Sequence, residues 1–145
     1  MNDFVALLIE RSCASQPQVD TALGEALARL DHLLAGVSAD LRVEYFGPWV
    51  GVETPMAHQL VVRAHAWDMG RPQWGVRVCS TAPQAHRRAE WTLRGSGRLR
   101  KALIVRVLPE FFAGYATAVA AAGRAQSASG RRVAELARRF AAATC

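Results

Sequence analysis

Residues 58–68, His58-Gln59-Leu60-Val61-Val62-Arg63-Ala64-His65-Ala66-Trp67-Asp68, and 73–81, Gln73-Trp74-Gly75-Val76-Arg77-Val78-Cys79-Ser80-Thr81, flank Met69-Gly70-Arg71-Pro72. Both runs are rich in β-branched and aromatic residues, and a short Gly-containing connection between two such runs joins antiparallel neighbours. The stretch reads as a β-hairpin. With Gly70-Arg71 as its two-residue turn, Trp67 is expected to face Trp74 across the pair.

Outward from this hairpin the alternation continues. On the N-terminal side Leu41, Val43 and Tyr45 alternate with Arg42 and Glu44; Gly47-Pro48 breaks the run, and Trp49–Thr54 continues as a bent or second strand. On the C-terminal side Ala82–Arg88 reads as a loop, and Ala89, Trp91 and Leu93 alternate with Glu90, Thr92 and Arg94 in a further strand.

Beyond the strands the period is helical. Phe4, Leu7, Leu8 and Arg11 share one face of a short helix over Asp3–Ser12. Ser15-Gln16-Pro17-Gln18 has the form of a capping box with Pro17 in the first turn. Val19, Leu23, Leu27, Leu30 and Leu34 then form a stripe, and Gly36 stands where a left-handed residue ends a helix. The leucine spacing also resembles a short dimer seam, but two heptads are too few for a coiled coil, and the stripe is expected to cover the sheet.

Residues 98–108 mix helix formers with Ile104, Val105 and Val107; helix is preferred over a strand returning through Gly95-Ser96-Gly97. Pro109 is expected to open a separate helix over Glu110–Ala122. After a small-residue link, Ala125–Gly130, the last helix carries Val133, Leu136, Ala137 and Phe140 on one side. Arg131, Arg132, Glu135, Arg138 and Arg139 lie on the other. The order of elements predicts an α+β fold, a mostly antiparallel sheet of three to five strands (about 41–94) covered by N-terminal helices (about 3–35) and C-terminal helices (about 98–142). One domain over 1–145 is expected, because 145 residues at 51% hydrophobic content suit one continuous core.

The most apolar stretch, Ala102–Ala122, is broken by Arg106, Pro109 and Glu110, so no membrane partner is expected. The opening residues lack the basic start and small-residue cleavage site of a secretory signal. Cys13, Cys79 and Cys145 are odd in number and contain no CxxC pair, which signals neither a disulfide framework nor a zinc site. A reducing, cytoplasmic setting follows from that reading, with Cys145 frayed at the end of the chain.

Charge is distributed unevenly. Residues 1–60 hold three basic against eight acidic groups, net −5, whereas 61–145 hold fifteen against four, net +11. Such asymmetry points to an anionic partner. Lys101 is the single lysine among eighteen basic residues, a bias that GC-rich coding also produces without function.

Within the basic half, Arg94-Gly95-Ser96-Gly97-Arg98-Leu99-Arg100-Lys101 is the sharpest local feature. A helix starting at Arg98 leaves backbone amides near Ser96 and Gly97 outward-facing among Arg94, Arg98, Arg100 and Lys101, an arrangement suited to anions. It is neither a phosphate-binding GxxxxGK loop nor the GxGxxG fingerprint, since Arg100 holds the third glycine position. Arg87 and Arg88, beside His86, extend the candidate set.

Catalytic signals are sparse: a cysteine nucleophile would be Cys79 with His65, but strand alternation favours a small buried cysteine. His58 and His65, seven apart, face opposite sides of one strand and do not chelate together. No catalytic residue, metal ligand or cofactor is therefore assigned. The expected role is a small non-catalytic binding module with an anionic partner, nucleic acid or an acidic protein surface. A homodimeric adaptor acting through apolar surface is the alternative, and a small enzyme the third.

Overall fold

A computed structural model of the chain describes residues 3–50, 57–67, 70–81, 89–143 and 145. The expected α+β fold is present: helices α1 (Phe4–Ser12) and α2 (Thr21–Leu41), strands β1 (Tyr45–Val50), β2 (Ala57–Trp67), β3 (Gly70–Thr81) and β4 (Ala89–Trp91), then helices α3 (Arg98–Ala121) and α4 (Ala128–Ala142). The strands form an antiparallel sheet in the order β1-β2-β3-β4. Packing is layered. α2 lies on β3 and β2 and α3 on β1, while α1 and α4 pack on those two helices.

α1 begins where Asp3 accepts from the amides of Val5 (3.1 Å) and Ala6 (3.2 Å), which satisfies two of the donors a helix start leaves open. α2 does not begin at Ser15. Its cap is Asp20, which accepts from the Leu23 amide (2.9 Å) and pairs with Arg11, so the carboxylate closes the helix end and ties it to α1. Nor does α2 stop at Gly36. Val37 and Leu41 continue the stripe of Leu23, Leu27, Leu30 and Leu34 into the core, and burial there outweighs the glycine; Arg42, with φ +53°, provides the left-handed end. The expected strand at Leu41–Val43 is displaced accordingly.

The hairpin's register is displaced from the one its sequence suggests. Trp67 pairs with Gly70 and Trp74 with Ala64, so the two tryptophans are not opposite one another. The alternation after Ala89 ends at Trp91, and Leu93 is buried by a turn rather than a strand. The predicted loop at 82–88 lies outside the described residues.

α3 runs unbroken through Pro109. The proline withholds one helical amide, yet Val105 and Leu108 before it and Phe111 and Phe112 after it bury into the same core, which holds the two halves in line. By length and composition α3 is apolar enough to cross a membrane, but these buried side chains are those of a core helix. α4 starts where Ser127 accepts from the Gly130 amide (3.0 Å), and its Phe140 stacks on Phe112 with ring centres 5.1 Å apart.

The cysteines correct the sequence reading. Cys13 and Cys145 are joined as a disulfide across 132 residues, with the Arg139–Asp3 ion pair (2.7 Å) also linking α4 to the start of α1. Two cysteines so far apart in sequence carry no spacing signal, and the bridge removes the ground on which a reducing setting was inferred.

Candidate functional site

Sheet side chains sort into two faces. Tyr45, Leu60, Val62, Val76 and Val78 join the helices in the main core, whereas Val61 and Cys79 are buried on the other face, outside that cluster. On that second face, among the described residues, stand two exposed aromatic rings, Phe46 (56% exposed) and Trp49 (47%). They lie three residues apart, which in a regular strand would turn them to opposite sides. A register shift between them removes the conflict: Phe46 pairs with Val61 and Trp49 with Gln59, both on the same face.

Gly47 and Pro48 form that bulge. A Cβ at Gly47 would stand 2.8 Å from the Leu60 carbonyl oxygen and 3.1 Å from the Phe111 ring, so only glycine fits, and the Gln59 side chain donates through Nε2 to the Gly47 carbonyl (3.0 Å).

Further along the same face, His65 on β2, Cys79 on β3 and Glu90 on β4 place ligand-capable atoms within 4.8 Å of one another. Cys79 and Glu90 are direct cross-strand partners. Arg63 donates to Glu90 Oε1 (3.0 Å) and, through Nε, to His65 Nδ1 (3.4 Å). His65 Nε2 lies 3.1 Å from the Val61 carbonyl, which only accepts, so this nitrogen carries the proton. Burial pushes the His65 pKa down, against the raising effects of the Val61 hydrogen bond and Glu90, with Arg63 and Arg77 adding to the depression.

The sequence-selected basic segment joins β4 to α3. Gly97 caps α3 without a side chain, as expected, but the amides before it are committed internally. Arg94 N donates to Asp31 Oδ2 (2.9 Å), Gly95 N to Thr92 Oγ1 (2.8 Å) and Ser96 N to the Leu93 carbonyl (3.4 Å). Ser96 itself is buried, its hydroxyl donating to the Thr92 carbonyl (2.9 Å).

The cations diverge. Arg94 and Arg98 are exposed, Arg100 lies over the Trp91 ring at 3.7 Å, and Lys101 Nζ reaches α2 beside Gly24. Arg87 and Arg88 lie outside the described residues, and the α4 arginines sit in the outer helix layer. Trp91 also meets the edge of His58, whose pKa is pushed down by burial and then by the Arg100 charge.

Between α2 and the part of β3 that β4 leaves unpaired is a cleft of about 240 Å³, lined in part by Asp31, His32, Trp74, Arg77, Thr92 and Arg94. Burial raises the Asp31 pKa there, opposed by the Arg94 amide and the nearby arginines.

The sequence reading singled out neither Phe46 nor Trp49 as a binding residue. Trp74 and Trp91 lie on the helix side of the sheet, paired with Ala64 and Val78. The signal for the other pair was the Gly47-Pro48 break, legible as a bulge that sets Phe46 and Trp49 on one face. No protein-family model matches the chain, and comparison with curated proteins and with solved structures gives no match.

Proposed function

We propose that the protein binds single-stranded nucleic acid on the sheet face that carries Phe46 and Trp49. The observation that carries this reading is the pair itself, two half-exposed rings set on one face of the sheet by a bulge that close packing of Gly47 imposes. Aromatic rings on a sheet offer every base a stacking surface, each worth about 1 to 3 kcal/mol by alanine substitution. The net charge of +6 supplies long-range attraction to a polyanion, and Arg63 and Arg77 stand on the same face.

An acidic protein surface would use the charge but has no need of the paired rings, so nucleic acid accounts for more of this face. The test is fluorescence anisotropy of a labelled single-stranded oligonucleotide over a range of salt. Binding that weakens with salt, and that Phe46→Ala and Trp49→Ala each weaken by about 1 to 3 kcal/mol, is the expected result. Wild-type protein that binds no oligonucleotide at low salt overturns the reading.

One observation favours a second reading. β1 is an edge strand, and exposed aromatics on an edge suit pairing with a second copy. A dimer in sedimentation that Trp49→Ala dissociates, together with absent oligonucleotide binding, would establish that alternative.

A further inference from the structure

His65, Cys79 and Glu90 are contributed by three adjacent strands, and the Cys79–Glu90 register fixes two of them directly across from each other. The donor atoms, imidazole nitrogen, thiol sulfur and carboxylate oxygen, lie within 4.8 Å of one another. Around a tetrahedral zinc ion with bonds of about 2.0 to 2.3 Å such atoms would stand about 3.3 to 3.8 Å apart, so closure needs a shift of about an ångström.

We propose that His65 Nδ1, Cys79 Sγ and a Glu90 carboxylate oxygen form a site for a thiophilic divalent cation of the Zn²⁺ class, with Arg63 occupying the cation position when no metal is bound. Two features of the geometry support it. The Val61 carbonyl holds the proton on His65 Nε2, which leaves the Nδ1 lone pair directed into the cluster; a backbone carbonyl behind the far ring nitrogen is the usual support of a metal-bound histidine. The Arg63 guanidinium is bonded to both Nδ1 and Glu90 Oε1, so the lone pairs of two donors already converge on one positive charge.

Metal entry exchanges that charge for another. The thiol loses its proton to solvent as the metal–sulfur bond forms, Arg63 swings outward, and the dication with thiolate and carboxylate sums to zero charge. His65 and Cys79 are buried while Glu90 is partly exposed, so the ion enters past the carboxylate, and the fourth position is left to water or a ligand. Arg77, which acts on His65 electrostatically, works against the affinity of the site for any cation, while the thiolate and imidazole donors favour a soft ion over a hard oxygen-seeking one.

The experiment is a Co²⁺ titration of the purified protein with its disulfide intact, followed by absorption and then by Zn²⁺ displacement. One Co²⁺ per chain with a thiolate-to-metal charge-transfer band and tetrahedral visible bands is expected. Cys79→Ser should abolish the charge-transfer band, and Glu90→Gln should weaken binding by about 10-fold or more. Arg63→Ala should tighten binding, because it removes the competing cation while leaving the three donors in place. A wild-type protein without the band, a band that survives Cys79→Ser, or an Arg63→Ala protein that binds no more tightly than wild type overturns the proposal. Circular dichroism of each variant verifies that the sheet is retained.

Discussion

On its helix side the sheet presents Tyr45, Leu60, Val62, Val76 and Val78 to a continuous apolar core, while its other face carries Phe46, Trp49, Gln59, Arg63, His65, Arg77 and Glu90. The two sets alternate along the same strands. The first contains side chains that repay burial, whereas the second contains aromatic, imidazole and charged groups that a folding core does not require. Expensive features concentrated on one face, with stability supplied by the other, mark where function is to be sought.

The largest contrast lies between two phenylalanines. Phe111 is fully buried among Tyr45, Phe112 and Tyr115, so Phe111→Ala should destabilise the protein by about 3 to 5 kcal/mol. Phe46→Ala should stay within about 0.5 kcal/mol, because the ring is more than half exposed. Urea denaturation measures both. A Phe46→Ala loss comparable to that of Phe111→Ala would mean that the second face is covered in solution, and the nucleic-acid reading would lose its surface.

A second perturbation acts away from both faces. The Cys13–Cys145 bridge closes a loop of 132 residues between α1 and the end of the chain, and opening it should cost about 2 to 4 kcal/mol. Comparing denaturation midpoints of wild-type and Cys145→Ser proteins checks this, and identical midpoints would show that the crosslink contributes nothing. Oligonucleotide affinity in the folded protein should be the same in both, since neither cysteine belongs to the sheet.

Tyr115 is the polar exception within the helix-side core. Its hydroxyl is buried without a partner among the described residues, and burial pushes its pKa up to about 12. The neutral phenol is favoured in the folded state, so this contribution is complete below the ordinary value near 10 and is lost as pH rises from there through about 12. Tyr115→Phe should stabilise the protein by about 1 kcal/mol at neutral pH and flatten the alkaline fall in stability. A destabilised Phe variant would reveal a hydrogen bond to that hydroxyl.

How much of this was legible depends on whether the cause is local. The leucine stripe of α2, the hairpin strands and the apolar side of α4 announce themselves, because periodicity and burial coincide. Gly36 and Pro109 mislead, because local stop signals were overruled by side chains that reach the core on both sides of them. The hairpin register turned on two residues, and the Cys13–Cys145 bridge on a proximity that only the packed helices create. At the candidate site the register read from sequence, with Trp67 opposite Trp74, would set His65 and Cys79 on opposite faces, and the observed His65–Gln73 and Gln59–Cys79 pairings bring them to one. That Glu90 joins them needed the third strand pairing.

The smallest expected effect concerns the polar end of the helix-side face. His58 is 7% exposed, its Nδ1 has no partner among the described residues, and burial followed by the Arg100 charge lowers its pKa. Protonation is therefore harder in the folded chain than in the unfolded one. His58 contributes stability that is full above the ordinary histidine value of about 6.5 and that is lost as pH falls below it toward the depressed folded value. His58→Gln should remove part of the slope of stability against pH on that acid limb, whatever it does to stability at neutral pH. Arg100→Gln should remove a smaller part, since the missing cation raises the His58 pKa while burial still holds it down. Urea midpoints between pH 7 and pH 5 give these slopes for all three proteins. If neither substitution changes the limb, His58 titrates as though in water, and the helix-side face is open to solvent where α3 meets β4.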